Sequence, residues 1–444
     1  CVRPLLLACV LLPACGNDEL PLDSSARTQL ALIPSTSTQD LDILFVIDDS
    51  PSTLDMQTEL KTAFPMLIAE LVATPNLHIG VVSSDVGTKG FDDGAAGPAI
   101  GSGPGSCSGS GKAGRLQTNG AMVDGAFISD VAGADGTRDK NYTTTMADAF
   151  NAIASLGSGG CGFEQPLEAM RLALADPSGD NAGFIRPDAR LAVIALQDED
   201  DCSMSHSTLM SADVSSLGPL QSFRCTRFGV TCDDGGSTDR DMDAIGPKQG
   251  CHSREDSPYL GSVARYRDFL TTYKSDPRDV LFATIAGPAS PFAIELRTPP
   301  GGGTAIPALA HGCSWNTGNG SAVADPAVRM ADLASALPRG EFETVCAADY
   351  EPTARAIARN IRNLLGDTCI PSAIPAGASC IAVDQRADGT ETQLPECPGA
   401  ISTTHDCYEL VADTACSASG VRVVTHRVST ASADTMVSLR CANP

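Results

Sequence analysis

The stretch that decides the fold is Asp42-Ile-Leu-Phe-Val-Ile-Asp-Asp-Ser-Pro-Ser52. Five apolar residues, Ile43 to Ile47, run without interruption and then stop in two aspartates and two serines. A continuous apolar run of this length is the pattern of a strand covered on both faces. Its abrupt end in oxygen-bearing side chains places Asp48, Asp49, Ser50 and Ser52 at one edge of a sheet.

Outward from that strand, apolar runs and helical periods alternate. Thr53 to Ala73 carries Met56, Leu60, Phe64, Leu67 and Leu71 at helical spacing, and Pro65 is expected to kink or interrupt it. Strands are expected at Leu77–Val82, Leu191–Leu196, Val280–Ala286 and Phe342–Cys346. Helices are expected at Thr145–Ala154, Pro166–Ala175, Tyr259–Tyr273 and Thr353–Leu365. This alternation implies an α/β fold: a doubly wound, mostly parallel sheet with helices on both faces. In such sheets ligands sit at the carboxyl ends of strands where the strand order reverses, which is where Asp48 falls.

The spacing Asp48-x-Ser50-x-Ser52 resembles the opening of the metal-ion-dependent adhesion site of the von Willebrand factor A domain family. One carboxylate and two hydroxyls form a hard, oxygen-only donor set suited to Mg2+ or Ca2+. The resemblance implies a second carboxylate after the fourth strand, and "ALQDEDDCS" supplies Asp198 there. It also implies a threonine in a Gly-rich loop. In "GSGGCGFEQPLEAM", Gly157 to Met170, that place is held by Glu164, while Thr304 in "GGGTAI" comes too late in the chain. The expected ligands are therefore Asp48, Ser50, Ser52, Glu164 and Asp198, with Asp49, Asp200 and Asp201 as outer acids. The resemblance covers roughly Leu41 to Gly366, with insertions near 88–120 and 202–257.

The ends of the chain read differently. Arg3, an apolar run from Leu5 to Leu12 and then Leu12-Pro13-Ala14-Cys15 resemble a bacterial lipoprotein signal whose Cys15 carries the lipid. Residues 1–15 are thus expected to be a signal peptide, and the polar residues 16–40 a flexible tether. Gly16 after the cysteine points to the outer membrane. Seventeen cysteines less Cys1, Cys9 and Cys15 leave an even set, as disulfides in an oxidising compartment require. Eight fall before Gly366: Cys107, Cys161, Cys202, Cys225, Cys232, Cys251, Cys313 and Cys346. The six after it, Cys369, Cys380, Cys397, Cys407, Cys416 and Cys441, mark residues 367–444 as a small module with β-strands that needs its bridges. Each set is expected to pair within itself, with Cys225 to Cys232 and Cys313 to Cys346 as guesses.

The formal net charge of −24 repels phosphate backbones and excludes nucleic acid as a partner. "GSCSGSGKAG" lacks the first glycine and the final hydroxyl of a phosphate loop, and no Gly-x-Ser-x-Gly elbow is present. The reading is a non-enzymatic, lipid-anchored envelope protein that binds a divalent cation and, through it, a protein partner. The alternatives are a metal-dependent hydrolase using the same acids and a structural envelope protein.

Overall fold

The computed structural model describes residues 27–442, apart from 72–74, 119–121, 134, 176–178, 300–301, 319 and 399–404. The signal segment, Cys15 and the first part of the tether lie outside the described residues.

A seven-stranded sheet forms the centre, in the order Gly340–Thr344, Val280–Ala286, Arg190–Leu196, Asp40–Ile47, Asn76–Ser83, Ile128–Ala132, Arg138–Lys140. The first five are parallel. Strand 128–132 runs antiparallel to both of its neighbours, 76–83 and 138–140. The chain leaves strand 40–47 towards strand 76–83 on one side, then returns to place strand 190–196 on the other. The reversal of order therefore lies between strands 40–47 and 190–196.

Strand 40–47 is apolar on both faces because both are covered. Leu41, Ile43, Phe45 and Ile47 pack under helices Leu54–Glu70, Met146–Ala154 and Glu351–Leu364. Leu44 and Val46 pack under helices Pro166–Ala175, Val263–Tyr273 and Val328–Ala336. Phe64 and Phe150 stack at 3.8 Å between centroids, with Phe45 4.8 Å from Phe150. Each fully buried side chain of this kind stabilises by about 1.5–3 kcal/mol relative to exposure. Helix 54–70 runs through Pro65, so of the two expected outcomes, a kink or an interruption, the helix is not interrupted. Pro65 lies on the exposed side, so the ring meets solvent and the buried row Met56, Leu60, Phe64, Leu67 is undisturbed.

The tether reading needs correction. Arg27–Pro34 is a strand, paired antiparallel with Met436–Ala442 from Arg27↔Ala442 to Pro34↔Met436. Its run Leu30-Ala31-Leu32-Ile33 is apolar enough to bury, and Ala31 and Ile33 enter the core of the C-terminal module. That module's main sheet has the order 27–34, 436–442, 379–385, 391–394, beside a hairpin of 407–412 and 421–426. The first and last described strands thus lie side by side in one sheet. Buried Arg278 also ties the module to the central domain, donating to the carbonyls of Gln385 at 2.6 Å and Asp434 at 2.5 Å.

All fourteen described cysteines are bridged. The pairs are Cys107–Cys161, Cys202–Cys225, Cys232–Cys251, Cys313–Cys346, Cys369–Cys416, Cys380–Cys441 and Cys397–Cys407. None crosses Gly366. The guess of Cys225 with Cys232 is corrected: Cys225 sits on helix Phe223–Gly229 facing Cys202, while Cys232 lies opposite Cys251 in an antiparallel pair of strands. That pair, 230–234 with 246–253, continues into strands 292–297 and 306–309. The insertion is therefore one sheet built from two separate stretches of chain.

Removing residues 1–34 takes away one of the two partners of strand 436–442, which keeps 379–385 on its other side. Amides of 436–442 that donate towards strand 27–34 are expected to lose hydrogen-exchange protection by about a hundredfold or more, while those of 190–196 keep theirs. Unchanged protection at 436–442 would contradict the shared sheet.

Candidate metal centre

Strands 40–47 and 190–196 pair in parallel with Ile47 opposite Leu196. Asp48 N–H extends this ladder by donating to Leu196 O at 3.0 Å. Asp48 is then one residue past the strand end and Asp198 two, so both carboxylates leave the sheet side by side. Asp48 Oδ1 accepts from Ser50 N–H at 2.7 Å. The Asp48 carbonyl accepts from Thr53 Oγ1 at 2.9 Å and Gln57 Nε2 at 3.0 Å. Ser50 Oγ lies 3.0 Å from Ser52 Oγ. The Ser52 hydroxyl bonds to Asp198, which also stands within hydrogen-bonding reach of Asp48. Asp48, Ser50, Ser52 and Asp198 are therefore brought together from two distant segments.

Two oxygens in this group are buried and have no partner, Asp48 Oδ2 and Asp198 Oδ1. An unsatisfied buried acceptor costs roughly 1–3 kcal/mol, and more when charged. Burial, then the charge of Asp198, pushes the Asp48 carboxyl well above the usual range. Burial raises Asp198 to about 6, with Asp325 adding repulsion.

Glu164 enters from the Gly-rich loop and is 2% exposed. Its carboxyl is raised by burial, then by Glu199, and only then by Asp48 and Asp198. It stands nearer in effect to Glu199 than to the Asp48 pair. Among the described residues no three His, Cys, Asp or Glu side chains form a group fit to hold a metal by themselves. What converges here is two acids with two serine hydroxyls, and Glu164 stands beside that set.

The three outer acids each have other partners. Asp49 turns the opposite way from Asp48, accepting from Ser83 Oγ at 2.6 Å and pairing with Lys112. Its carbonyl accepts from Gly160 N–H at 2.8 Å. A Cβ at Gly160 would lie 2.2 Å from Asp49 Oδ1, so only glycine fits there. Asp200 caps helix 328–336 through the N–H groups of Arg329 at 3.0 Å and Met330 at 3.3 Å. Asp201 takes the Arg329 guanidinium at 2.9 Å and the Leu167 N–H, at the start of helix 166–175, at 3.1 Å.

Four residues not foreseen from sequence complete the surroundings. Glu199, Asp325, His311 and Arg297 line a cleft of about 500 Å³ with Ser52, Glu164 and Asp198. His311 Nδ1 lies 2.6 Å from Asp325 Oδ1. Glu199 was legible as the middle acid of Asp198-Glu199-Asp200. Asp325, His311 and Arg297 carried no signal, because the inserted sheet and the hairpin Cys313–Thr317 with Gly320–Ala324 bring them in.

No family model matches the chain, and no curated protein matches it. Among solved structures it is similar to a von Willebrand factor type A protein from Catenulispora acidiphila, at 11% identity, covering 94% of this chain and 63% of that one, with a TM-score of 0.29. It is also similar to the adhesive tip pilin of Group B Streptococcus agalactiae, at 11% identity, 92% and 80% coverage and a TM-score of 0.28. A third is the pilus adhesin of Streptococcus pneumoniae, at 10% identity, 93% and 57% coverage and a TM-score of 0.20. The chain spans less than two thirds of the length of the first of these. The doubly wound, mostly parallel α/β fold of this chain stands on its own strand order and register, and likeness at this level assigns no site.

Raised carboxyl pKa values fix a sign for pH dependence. Asp198 moves from 3.8 to about 6 and Glu199 from 4.5 to about 8, the latter by burial, then Asp325 and Asp198. Between the unfolded and folded values the native state holds protons that the unfolded chain has lost, so stability falls as pH rises. The contribution is full below about pH 4 and gone above about pH 8. In EDTA the melting temperature should drop between pH 5 and pH 8, and less so in Asp198→Asn. A rise over this interval would contradict the buried acid pair.

Proposed function

We propose that the edge formed by Asp48, Ser50, Ser52 and Asp198 binds one divalent cation, Mg2+ or Ca2+, and presents it to an acidic group of a protein partner. The observation that carries this reading is the pair of buried, partnerless oxygens, Asp48 Oδ2 and Asp198 Oδ1. Asp198 stands within reach of Asp48 and of the Ser52 hydroxyl, and a donor set of carboxylates and hydroxyls suits a hard cation. Two carboxylates balance a divalent charge. With neutral hydroxyls filling the remaining protein positions, the metal can still attract a carboxylate from outside. Glu164, expected as a direct ligand, serves better as a neighbour, since a third ligating carboxylate would weaken that attraction. The role is that of a binding module rather than an enzyme.

Seven disulfides fit an oxidising compartment outside the cytoplasm. Among the described residues no helix is long and apolar enough to cross a membrane. The proposal places the chain on the bacterial outer membrane, held by lipid on Cys15. The C-terminal module then sits near the anchor, because strand 27–34 is the first described element after it.

Isothermal titration of the soluble chain with Ca2+ and with Mg2+ should show one site for at least one of them. Asp48→Ala should abolish it while leaving the far-ultraviolet spectrum unchanged, and should raise the melting temperature in EDTA by removing one acid of the pair. Unchanged cation binding in Asp48→Ala would overturn the reading.

Mass spectrometry of the mature protein from membranes should find Cys15 as the first residue, carrying acyl mass. A mature chain starting elsewhere without acyl mass removes the anchor.

A further inference from the structure

Asp48 Oδ2 and Asp198 Oδ1 are not the only partnerless atoms at this end of the sheet. Ser84 Oγ, Thr284 Oγ1 and both ends of the Gln197 amide, Oε1 and Nε2, are also buried without a hydrogen-bond partner. Ser84 is 1% exposed, and Gln197 and Thr284 are 0%. An amide buried and unpaired at both ends is costly, and native folds keep few such groups.

Register puts two of these groups in one row with Asp48. Ile47 stands opposite Leu196 on one side and Ser83 on the other. The next residues along the three strands are Gln197, Asp48 and Ser84. The ladder still holds at this level: Asp48 N–H donates to Leu196 O at 3.0 Å, and Ser84 N–H to Ile47 O at 3.1 Å. Side chains alternate between faces along a strand, and neighbours in register share a face. On the face of Ile47, Asp49 meets the Ser83 hydroxyl at 2.6 Å. Asp48, Ser84 and Gln197 share the other face, where Val46, Val82 and Ala195 are packed.

Adjacent strands lie about 4.8 Å apart. The side chains in this row do not bond to one another, since Asp48 Oδ2, Ser84 Oγ and the Gln197 amide all lack partners. Two oxygens bound to one Ca2+ ion, each about 2.3–2.6 Å from it, can stand up to about 5 Å apart. Such a spacing is bridged by an ion and not by a hydrogen bond.

We propose that Ser84 Oγ and Gln197 Oε1 complete the donor set, and that the completed set selects Ca2+ over Mg2+. The inference rests on the cation reading of Asp48, Ser50, Ser52 and Asp198. Two carboxylates, three hydroxyls and one amide carbonyl then converge from three adjacent strand ends. Ca2+ accepts about six to eight oxygens in flexible geometry, amide carbonyls included, so a position stays open for the partner's acidic group. Mg2+ demands near-ideal octahedral geometry and dehydrates reluctantly, so the same set would leave it no place for a partner. Ser84 and Gln197 are neutral and add donors without adding charge. With Oε1 turned to the ion, Thr284 Oγ1, on the same face beside Ala195, is an acceptor for Nε2.

The test measures Ca2+ and Mg2+ binding to the full chain by calorimetry, with melting followed in EDTA. The wild-type chain should bind Ca2+ at least about tenfold more tightly than Mg2+. Gln197→Leu should weaken Ca2+ binding about tenfold or more and change Mg2+ binding by less than about twofold. Ser84→Ala should act in the same direction, severalfold. In EDTA Gln197→Leu should melt above wild type, because a buried unpaired amide is gone; a residue needed only for packing would melt lower. Equal affinity for the two ions, or Ca2+ binding unchanged in both variants while Asp48→Ala abolishes it, overturns this inference alone. A wild-type chain that binds neither ion overturns the cation reading and this inference with it. Should Gln197→Leu fail to fold, Ser84→Ala, which deletes a single oxygen, decides.

Discussion

The parallel register of strands 40–47 and 190–196 is the constraint on which the rest depends. With Ile47 opposite Leu196, the two chains leave the sheet in step, and their first acids cannot avoid each other. Two carboxylates held together under helices repel and lose hydration, and their pKa values rise for that reason. The surroundings hold this arrangement rather than relieve it. Thr53 and Gln57 pin the Asp48 carbonyl, and Ser50 N–H fixes one carboxylate oxygen. An arrangement of this kind is costly as it stands, and the proposed cation would relieve that cost.

The same loop after strand 190–196 also organises the two helices that cover one face. Asp200 caps helix 328–336, and Asp201 joins the start of helix 166–175 to Arg329. Arg329 is itself fully buried. Truncating one partner of such a pair leaves a buried charge uncompensated, typically costing 3–5 kcal/mol. These adjacent acids therefore serve the scaffold, and Asp198 and Glu199 face the open edge. One short acidic run divides between holding the fold together and furnishing the site.

The insertions and the C-terminal module occupy opposite regions of the chain's architecture. Strands 230–234, 246–253, 292–297 and 306–309 build a small sheet beside the edge that carries Asp198, and the cleft forms where that sheet meets Glu164 and Asp198. Loops on a rigid sheet are well suited to recognition, since the sheet fixes position and the loops supply chemistry. The C-terminal module instead takes in strand 27–34 beside strand 436–442, and its three bridges compensate for a small core.

Sequence by itself determined the doubly wound fold, because helical and strand periods alternate and a run such as Ile43 to Ile47 has meaning only when covered on both faces. The resemblance also pointed to Asp48, Ser50, Ser52 and Asp198 as one group, each within five residues of a recognisable strand end. The composition shift after Gly366 and the even cysteine count marked the second module. Tertiary structure alone decided the rest. Two adjacent aspartates look alike in sequence, but successive side chains of an extended segment point opposite ways, so Asp48 faces the edge and Asp49 meets Ser83 and Lys112. Lys112, which read as a failed phosphate loop, answers a buried charge that composition could not locate. Residues 27–34 looked like tether because antiparallel pairing with a strand some four hundred residues away leaves no local periodicity. Asp325, His311 and Arg297 joined the cleft for the same reason: contacts between distant segments follow from packing, and no short window of sequence contains them.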